Sequence, residues 1–480
     1  MMQRLDCHVK NYAWGKDGNE SEVARLFAAG HPHHQVGPQT PYAELWMGTH
    51  PDGPARVRDS SENLSKLIAK NNSENNNREE IHLPFIMKIM SIKHTLSLQV
   101  HPTKEQAAYL HNQDPINYPD RHHKPELAYA LTKFELLCGF RPAVQILQNL
   151  QAFPELRKVM GEAETEEFEK VLKSGYPQES KQAKAALRKC FKKMLYSQIN
   201  SPNLVKEQLQ SFYNRLESGI RGALIEETIP VLESMRKHFP GDVGCFSPLY
   251  LNHMILQPGE CCFYAAEELH AYLSGECVEC VGCSNNTIRA ALTPKFIDRE
   301  ALINVLNYRM TDPEFYLVPP QKLKNYPNVT EYAPDCKDFT LHEVRISKTS
   351  EDNNASSSAS SSTTTPTMLP PLQCGSIMVI VEGEGNYEMP KTLGNRFKKI
   401  KRGDIFYIPP EQKVQLNSIS EHFLAYRTFS YELGPDHSNR KPTMVEKLKE
   451  KMGERPKFVL TPADLFSKLD SLEGDMDGLC

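Results

Sequence analysis

The residue composition and the spacing of apolar residues change after Pro142 and change back near Val243. This change limits the folds that the chain can adopt. Between the two points glycine is rare, and Leu, Lys, Glu and Gln are common. One run of apolar residues advances by four, three and four positions, which is the spacing of a single helical face: Val205, Leu209, Phe212 and Leu216. Ser201 and Pro202 precede this run and are typical of a helix N-cap and first turn. We therefore predict a helical domain over residues 142–242.

The chain on either side of this segment consists of short apolar or alternating stretches between Pro and Gly residues, which is typical of β-strands. The clearest strand candidates are residues 83–90, 95–101, 254–260, 261–265 and 376–381. Glycine turns and the Gly403-Asp404 step before an apolar stretch predict a jelly roll over residues 326–430. The predicted class is therefore mainly β with an α-helical domain.

Three segments are too polar or too poorly patterned to join a core. Residues 71–77 are almost entirely Asn, Ser and Glu, and residues 349–367 are mostly Ser, Thr, Asn and Ala. Such segments bury too little apolar surface to offset the entropy lost on ordering, so we expect mobile loops. Residues 431–480 are charged, and we expect a poorly ordered tail with one helix near residues 444–452.

Composition excludes several classes of partner. The chain has 56 Lys and Arg against 60 Asp and Glu, a net charge of −4. A nearly neutral chain has no broad basic field, so we expect neither nucleic-acid nor membrane binding. The first residues lack the apolar core of a signal peptide, and no apolar run of about 18 residues is present. The 12 cysteines are expected to be reduced thiols, and we predict a soluble, cytoplasmic protein.

A set of metal-binding residue types is spread through the strand-rich part. Gln99 and His101 lie two positions apart on a predicted strand, so both side chains face the same way. Glu126 follows in a His-His-Lys-Pro-Glu sequence, and His270 follows another predicted strand. Two imidazoles and a carboxylate suit Zn²⁺ and leave a position open for substrate. An amide oxygen is an unusual ligand, so chemistry alone would not select Gln99.

Two other clusters compete for the role of metal site. Cys277, Cys280 and Cys283 are spaced like a fragment of a zinc or iron–sulfur motif. Their surroundings alternate like a strand, which favours cysteine as a small apolar filler. Residues 31–34 (HPHH) are rich in histidine, but the neighbouring Gly and Pro favour a solvated loop.

Six short motifs occur along the chain in a fixed order. They are residues 11–16 (NYAWGK), 44–51 (ELWMGTHP), 97–102 (SLQVHP), 123–126 (HKPE), 137–142 (LCGFRP) and 289–295 (RAALTPK). Together they resemble the type I mannose-6-phosphate isomerase family, and the resemblance runs from about Leu5 to Phe429 apart from the polar inserts. It implies a cupin-like jelly-roll catalytic core, formed by residues 1–141 and 243–325, a helical domain and a C-terminal jelly roll.

The resemblance also implies an activity and a set of site residues. The activity is the interconversion of mannose 6-phosphate and fructose 6-phosphate, supplying GDP-mannose synthesis, in an enzyme expected to be a monomer. One Zn²⁺ per chain is implied, with its ligands at four positions: Gln99, His101, Glu126 and His270. Arg289 matches the family's active-site arginine. Other positions match residues near the substrate: Ser97, Lys124 and Lys295.

The chemistry of aldose–ketose isomerisation assigns roles to some of these residues. A proton moves between C1 and C2 through an enediolate, so a base is needed at carbon and positive charge is needed at oxygen. Arg289 keeps its charge and can stabilise the oxygens together with the metal. For the base we favour Glu279, because a partly desolvated carboxylate near a metal can accept a proton. Lys124, beside the ligand loop, is the alternative.

The remaining substrate contacts are predicted from residue type. The phosphate needs cations or donors, for which Lys295 and Ser97 are the candidates. Trp14 is a candidate for the wall of the sugar site, as is Trp46, although core packing explains either equally well. No glycine-rich phosphate loop is found, because the Gly383-Glu-Gly385 sequence lacks the third glycine of a dinucleotide fingerprint.

One departure from the family pattern leaves alternatives open. The family has aspartate where Asn285 stands, and an amide cannot act as a base. If that aspartate carries the proton, the chain is a sugar-phosphate-binding paralogue with little or no turnover, and Asn285→Asp should raise turnover. A further alternative is an Fe(II) oxygenase, because two histidines and a carboxylate are also that class's ligand set.

Overall fold

The computed structural model describes residues 1–72, 79–347, 366–388, 397–418 and 420–433. In chain order the strands are β1 (Gln3–Asp6), β2 (His8–Lys10), β3 (Lys16–Asp17), β4 (Pro41–Tyr42), β5 (Glu44–Gly48), β6 (Arg56–Val57), β7 (Phe85–Ile92), β8 (Leu98–Val100), β9 (Glu126–Ala130), β10 (Phe134–Phe140), β11 (Leu251–Leu256), β12 (Cys261–Tyr264), β13 (His270–Gly282), β14 (Ile288–Ala291), β15 (Gln321–Leu323), β16 (Tyr326–Tyr332), β17 (Thr340–Ser347), β18 (Thr367–Leu369), β19 (Ser376–Glu382), β20 (Glu384–Glu388), β21 (Phe397–Lys401), β22 (Ile405–Ile408), β23 (Val414–Ser418) and β24 (His422–Phe429). The α-helices are α1 (Glu22–Gly30), α2 (Leu64–Asn71), α3 (Lys104–Gln113), α4 (Ala143–Ala152), α5 (Pro154–Met160), α6 (Glu162–Lys173), α7 (Lys181–Asn200), α8 (Pro202–Glu217), α9 (Thr228–His238), α10 (Ser247–Tyr250) and α11 (Arg299–Val305).

The core of the strand-rich part is a ten-stranded antiparallel sheet built around β13. This strand pairs with β7, β8, β9 and β10, and the sheet continues through β5 and β2 on one side and β11 on the other. Every residue of β7 is buried, as are nearly all those of β13. Because side chains of a strand point alternately to two faces, a strand buried throughout must be covered on both faces. Apolar clusters lie on both sides of this sheet.

The helices α4 to α9 all lie within the segment predicted to be helical. In α8 the predicted apolar face is buried, with Val205 and Phe212 fully inaccessible. Ser201 occupies the N-cap and Pro202 the first turn, as predicted, but the Ser201 side chain makes no capping hydrogen bond. The helical cluster is continuous with residues of β8 and β14. The helices therefore buttress the two strands that carry several predicted site residues.

The C-terminal part consists of an eight-stranded sheet packed on a four-stranded sheet. The larger sheet has the order β15-β16-β17-β24-β19-β22-β1-β6, and the smaller one β18-β23-β20-β21. The apolar side chains between the two sheets form one cluster. Mainly antiparallel sheets with a separate set of helices confirm the predicted fold class.

The N-terminal strand links the first part of the chain to the C-terminal sheet. β1 pairs with β22, with Gln3 opposite Tyr407. Arg4 adds a 2.9 Å ion pair to the buried carboxylate of Asp404. The first strand is thus a member of the C-terminal sheet, because its backbone completes that sheet beside β22.

The polar segments predicted to be loops fall mainly outside the described residues, as does the predicted helix at 444–452. Where their ends are described, they are ordered. Asn71 is the last residue of α2, Thr367 begins β18, and Tyr431–Leu433 form a short 3-10 helix. Among the described residues no helix is both long enough and apolar enough to cross a membrane.

Candidate metal centre and active site

Three predicted ligands meet at one end of the ten-stranded sheet. His270 is the first residue of β13, Glu126 is the first residue of β9, and His101 directly follows β8. One ligand atom from each side chain lies within 4.8 Å of the others, and all three residues are buried. The Glu126 carboxylate lies between the rings, with Oε1 3.2 Å from His101 Nε2 and Oε2 3.5 Å from His270 Nε2.

Backbone carbonyls fix the orientation of both imidazoles. His101 Nδ1–H donates to the Asn286 carbonyl at 2.7 Å, and His270 Nδ1–H donates to the Glu268 carbonyl at 2.9 Å. Each Nε2 then carries a lone pair, and neither buried Nε2 has a hydrogen-bond partner. Burial lowers the pKa of both rings, to about 3 for His270, so both are neutral. Two inward-facing neutral imidazoles beside a carboxylate fit a zinc ion.

The carboxylate of Glu126 is held in its charged form. Burial opposes its charge, but Lys124, whose Nζ lies 3.0 Å from Oε1, outweighs burial and keeps the pKa of Glu126 well below its ordinary value. Tyr264 O–H donates to the other carboxylate oxygen at 2.7 Å. The predicted Lys124 is therefore in direct contact with the cluster.

Gln99 lies beside the cluster by virtue of strand pairing. Its Cα is opposite His270 on one side and opposite Arg289 on the other. Its side-chain oxygen accepts a 3.1 Å hydrogen bond from the Ser97 hydroxyl, which joins two predicted residues. Strand β8, which carries Gln99, is shorter than predicted. It ends at Val100, and His101 lies just past its end.

A buried row of charges crosses the neighbouring strands. Glu279 on β13 lies directly opposite Lys88 on β7, and Trp46 on β5 lies opposite Lys88 on the other side. Lys88 Nζ is 2.8 Å from Glu279 and 3.7 Å from Glu44. Tyr272 O–H donates to the second oxygen of Glu279 at 3.0 Å. The predicted Glu279 is thus part of a connected polar row within the sheet.

The charges in this row have shifted pKa values. Burial opposes the charge on Lys88, but Glu279 and Glu44 outweigh it and raise the pKa of Lys88, which stays protonated. Burial, with Glu126 nearby, raises the pKa of Glu279 above its ordinary value. A carboxyl with a raised pKa is suited to exchange a proton near neutral pH.

Lys88 is the main residue that the sequence analysis did not identify. The signal was present, because Lys88 is the only charged residue in a strand that is otherwise apolar apart from Ser91. A charged residue in a strand buried on both faces needs a buried partner. The centroid of the Trp46 ring lies 5.1 Å from Lys88 Nζ, so Trp46 contacts the row.

Arg289 on β14 is half-buried next to Gln99. Burial lowers the pKa of its guanidinium, and the nearest opposing influence is the Tyr118 phenol. No carboxylate pairs with Arg289 among the residues that the structure describes. An arginine left without an anionic partner in a partly buried position is available for a ligand oxygen.

Two predicted substrate contacts are not joined to the cluster. Lys295 is exposed, and only its backbone N–H is engaged, by Thr293 Oγ1 at 3.1 Å. Trp14 packs at the edge of an apolar cluster, and its ring stacks on Tyr12 with centroids 5.7 Å apart. Neither side chain makes a hydrogen bond or ion pair to the metal cluster within the described ranges, so contact with a substrate is needed to give them a role.

The competing cysteine site is wrong for the described residues. Cys277 faces one apolar cluster and Cys280 faces the other, because they lie three positions apart on β13. Side chains on opposite faces of a sheet cannot share a metal ion. Burial raises the pKa of both thiols, which also disfavours the thiolate that metals bind.

Comparison with known proteins matches two family models to the chain. The family model described as the type I phosphomannose isomerase catalytic domain matches residues 2–143, and that of the helical insertion domain matches residues 159–251. Mannose-6-phosphate isomerase of Bos taurus is 37% identical over 433 residues, covering 88% of this chain and 97% of the relative. The Homo sapiens enzyme of the same name is 40% identical over 422 residues, covering 86% and 94%.

Solved structures share the architecture. An arginine-to-alanine mutant of phosphomannose isomerase from Salmonella typhimurium has a TM-score of 0.70 and 26% sequence identity, covering 89% of this chain and 99% of that chain. A mannose 6-phosphate isomerase crystallised with zinc and yttrium has a TM-score of 0.69 and 26% identity over the same shares. The resemblance predicted from six motifs is confirmed: this chain belongs to the type I phosphomannose isomerase family.

Proposed function

We propose that this chain interconverts mannose 6-phosphate and fructose 6-phosphate by proton transfer through an enediolate, with one zinc ion per chain. The observation that carries the proposal is the buried His101–Glu126–His270 cluster, whose two unpartnered Nε2 atoms face a charged carboxylate. A buried Lys–Glu pair and a half-buried arginine lie on the neighbouring strands. Family membership gives the substrate, and these groups supply the required chemistry.

The metal would be held by His101, Glu126 and His270, with the side-chain oxygen of Gln99 as the fourth ligand. The Ser97 hydroxyl orients that amide by donating to its oxygen. A zinc ion, when bound, supplies Lewis-acid stabilisation of negative charge on substrate oxygens. The chain's own contribution is to aim both imidazoles inward through two backbone carbonyls, while burial keeps both rings neutral.

Glu279 is the preferred carrier of the proton between C1 and C2. Its raised pKa suits it to release and regain a proton, and Tyr272 and Lys88 hold its two oxygens in place. Lys124 is the second candidate, but its Nζ is already engaged by Glu126 Oε1 at 3.0 Å. The charge on Lys124 is better suited to stabilising an oxygen anion.

Arg289 would face the oxygens on which negative charge develops, since it is half-buried without a carboxylate partner of its own. Lys295, being exposed, would take the phosphate at the rim, with Ser97 and Trp14 as further substrate contacts. We also propose that the protein is a cytoplasmic monomer whose mannose 6-phosphate supplies GDP-mannose synthesis. Its catalytic core would combine residues 1–141 with residues 243–325.

A coupled assay for fructose 6-phosphate tests the proposed activity directly. We expect turnover with mannose 6-phosphate, loss of turnover after chelation, and its return with Zn²⁺ but not with Fe²⁺ alone. Reaction in D₂O should place deuterium on C1 or C2 of the recovered sugars, because a carbon-bound proton passes through the base. Tight zinc and ligand binding without turnover would instead support the binding paralogue.

A histidine pair provides a matched test of the metal site. His270→Ala should remove zinc and turnover together, as measured by metal content and the coupled assay. His342 is equally buried, at 1% exposure against 2% for His270, but lies in the C-terminal sheet beside Glu331. His342→Ala should therefore retain zinc. Equal zinc contents in the two variants would refute the assigned ligand set.

A further inference from the structure

Asp120 is the centre of a hydrogen-bond network that joins two loops beside the metal cluster. It lies in the segment between α3 and β9, shortly before Lys124 and Glu126. Its Oδ1 accepts from the Ser284 hydroxyl at 2.7 Å, the Asn286 amide at 3.0 Å and the His122 backbone N–H at 2.9 Å. The second oxygen, Oδ2, accepts from the backbone N–H of the residue after Ser284 at 2.7 Å.

The second loop connects β13 to β14, and its key residue is Asn286. This side chain is completely buried, and its amide donates to the Asp120 carbonyl at 2.8 Å and the His122 carbonyl at 3.0 Å as well as to the Asp120 carboxylate. Its backbone carbonyl accepts the Nδ1–H of His101. Three residues later the same loop leads into Arg289 on β14.

We propose that Asp120 is a positioning residue that holds the turn of residues 284–286 in place. This turn fixes the orientation of the His101 imidazole and the position of Arg289 at the site. The inference rests on the proposed function, because it gives Asp120 a role in the same site. Within the part of the chain that the structure describes, no hydrogen bond joins Asp120 to His101, Glu126 or His270. It acts through Asn286, whose carbonyl selects the His101 tautomer that directs Nε2 inward.

The charge of Asp120 is required by the number of donors that it accepts. Four donors converge on its two oxygens, and in the described chain no cation forms an ion pair with it. An ionised carboxylate is acceptor-only, whereas asparagine has one acceptor oxygen and two donor hydrogens. The NH₂ group of an asparagine at this position would therefore face at least one N–H or O–H donor of the network. Two donors cannot form a hydrogen bond with each other, so that interaction would be lost.

The test compares Asp120→Ala and Asp120→Asn with a matched control on the same segment. Asp114 also accepts backbone N–H groups, from Ile116 and Asn117, but makes no contact with the 284–286 turn. Zinc affinity is measured by competition with a chelator, and kcat and KM are measured at saturating zinc. We expect zinc affinity to fall about 10- to 100-fold for Asp120→Ala and less for Asp120→Asn. Asp114→Asn should match the unaltered protein.

The readouts separate positioning from general structural damage. At saturating zinc, kcat should remain reduced because Arg289 is displaced, while the melting temperature of the Asp120→Asn protein shows that the chain is folded. Asn286→Ala should weaken zinc binding to a similar degree, and adding Asp120→Ala to it should cost little more, because both changes break one network. If Asp120→Ala fails to fold, the same comparison is made with Asp120→Asn.

Two results would overturn the inference. One is zinc affinity and kcat within twofold of the unaltered protein in a folded Asp120 variant. The other is full additivity of the Asp120 and Asn286 changes, since independent effects exclude a shared route to His101. Absence of turnover in the unaltered protein would refute the proposed function instead, and the zinc measurements would still decide the role of Asp120.

Discussion

Replacing Lys88 with methionine tests the buried charge row most sharply. The side chains of Lys88 and Glu279 are only 7% and 3% exposed, with Nζ 2.8 Å from Oε2. Methionine preserves the apolar stem, so the main loss is the charge. The change leaves Glu279 and Glu44 buried without the cation that neutralises them, and it also removes a positive charge beside the proposed proton carrier.

The size of the effect follows from the two distances. At an effective dielectric constant of about 20, charges at 2.8 Å and 3.7 Å attract by about 6 and about 4.5 kcal/mol. Losing Lys88 also removes the cost of keeping its charge out of water, which is several kcal/mol. We expect a net loss of about 3–5 kcal/mol in unfolding free energy, the usual result of removing one partner of a buried pair.

The loss of unfolding free energy caused by Lys88→Met should depend on pH in a definite direction. Without Lys88 the pKa of Glu279 rises further, and the carboxyl escapes the penalty by taking up a proton. Because the folded-state pKa of Glu279 is then above its unfolded value, the destabilisation is smallest at low pH and grows as pH rises through that pKa. Adding Glu279→Gln to Lys88→Met should restore part of the stability but none of the turnover.

The assay is urea unfolding at pH 7.5 followed by tryptophan fluorescence. The chain has two tryptophans, Trp14 and Trp46, and both lie in the strand-rich core rather than in the helical domain. The signal therefore reports the part of the protein that contains the row. A loss below about 1 kcal/mol, or a double variant no more stable than Lys88→Met, would refute the reasoning.

Three further predictions concern the site and its surroundings. Arg289→Ala should keep zinc and the fold while kcat falls about 10²-fold or more, the effect of removing one oxyanion donor, and unchanged kcat would contradict its role. The side chain of Asn285 donates to Asp52 Oδ2 at 2.9 Å, and its backbone N–H donates to another carboxylate. A negative charge at position 285 would be repelled by both carboxylates, so the structure predicts the opposite effect of Asn285→Asp on turnover from the one that the family pattern predicts. Asn285→Asp should lower turnover and melting temperature, and Asp52→Asn should restore both; a rise in turnover with Asn285→Asp alone would favour the aspartate as proton carrier. Burial opposes the charge on His123, but Asp338 at 2.8 Å outweighs it and raises the pKa of His123. This pair should stabilise the protein below about pH 6.5 and lose its effect as pH rises through the higher folded-state pKa, so melting temperatures from pH 6 to 8.5 should fall less steeply in His123→Gln.

The regular elements were predictable because their signals are local. The apolar spacing in α8 and the apolar stretch in β7 depend only on which residues face a core, and both elements lie within two residues of the predicted positions. His101 and Glu126 of the candidate metal cluster lie within two of the six motifs, and His270 was predicted from its match to a ligand position of the family. The spacing of apolar residues reflects which side chains are buried, and the same positions are buried in every chain with this fold.

Strand register could not be predicted from such signals. The pairing of β13 with β7 brings Glu279 opposite Lys88, although the two residues are far apart in the chain. The same holds for β1, which pairs with β22 of the C-terminal sheet. A local pattern specifies which face of a strand is buried, but not which other strand will cover its edge.

The sequence by itself determined the fold class, the helical insertion and the residue types that gather at the site. The tertiary structure alone decided which charges neutralise one another, which carbonyl orients each imidazole, and that Asp120 ties the loop before Arg289 to the loop before Glu126. The physical reason is that hydrogen bonds and ion pairs act over about 3 Å. Only the folded chain brings atoms so distant in sequence within that range.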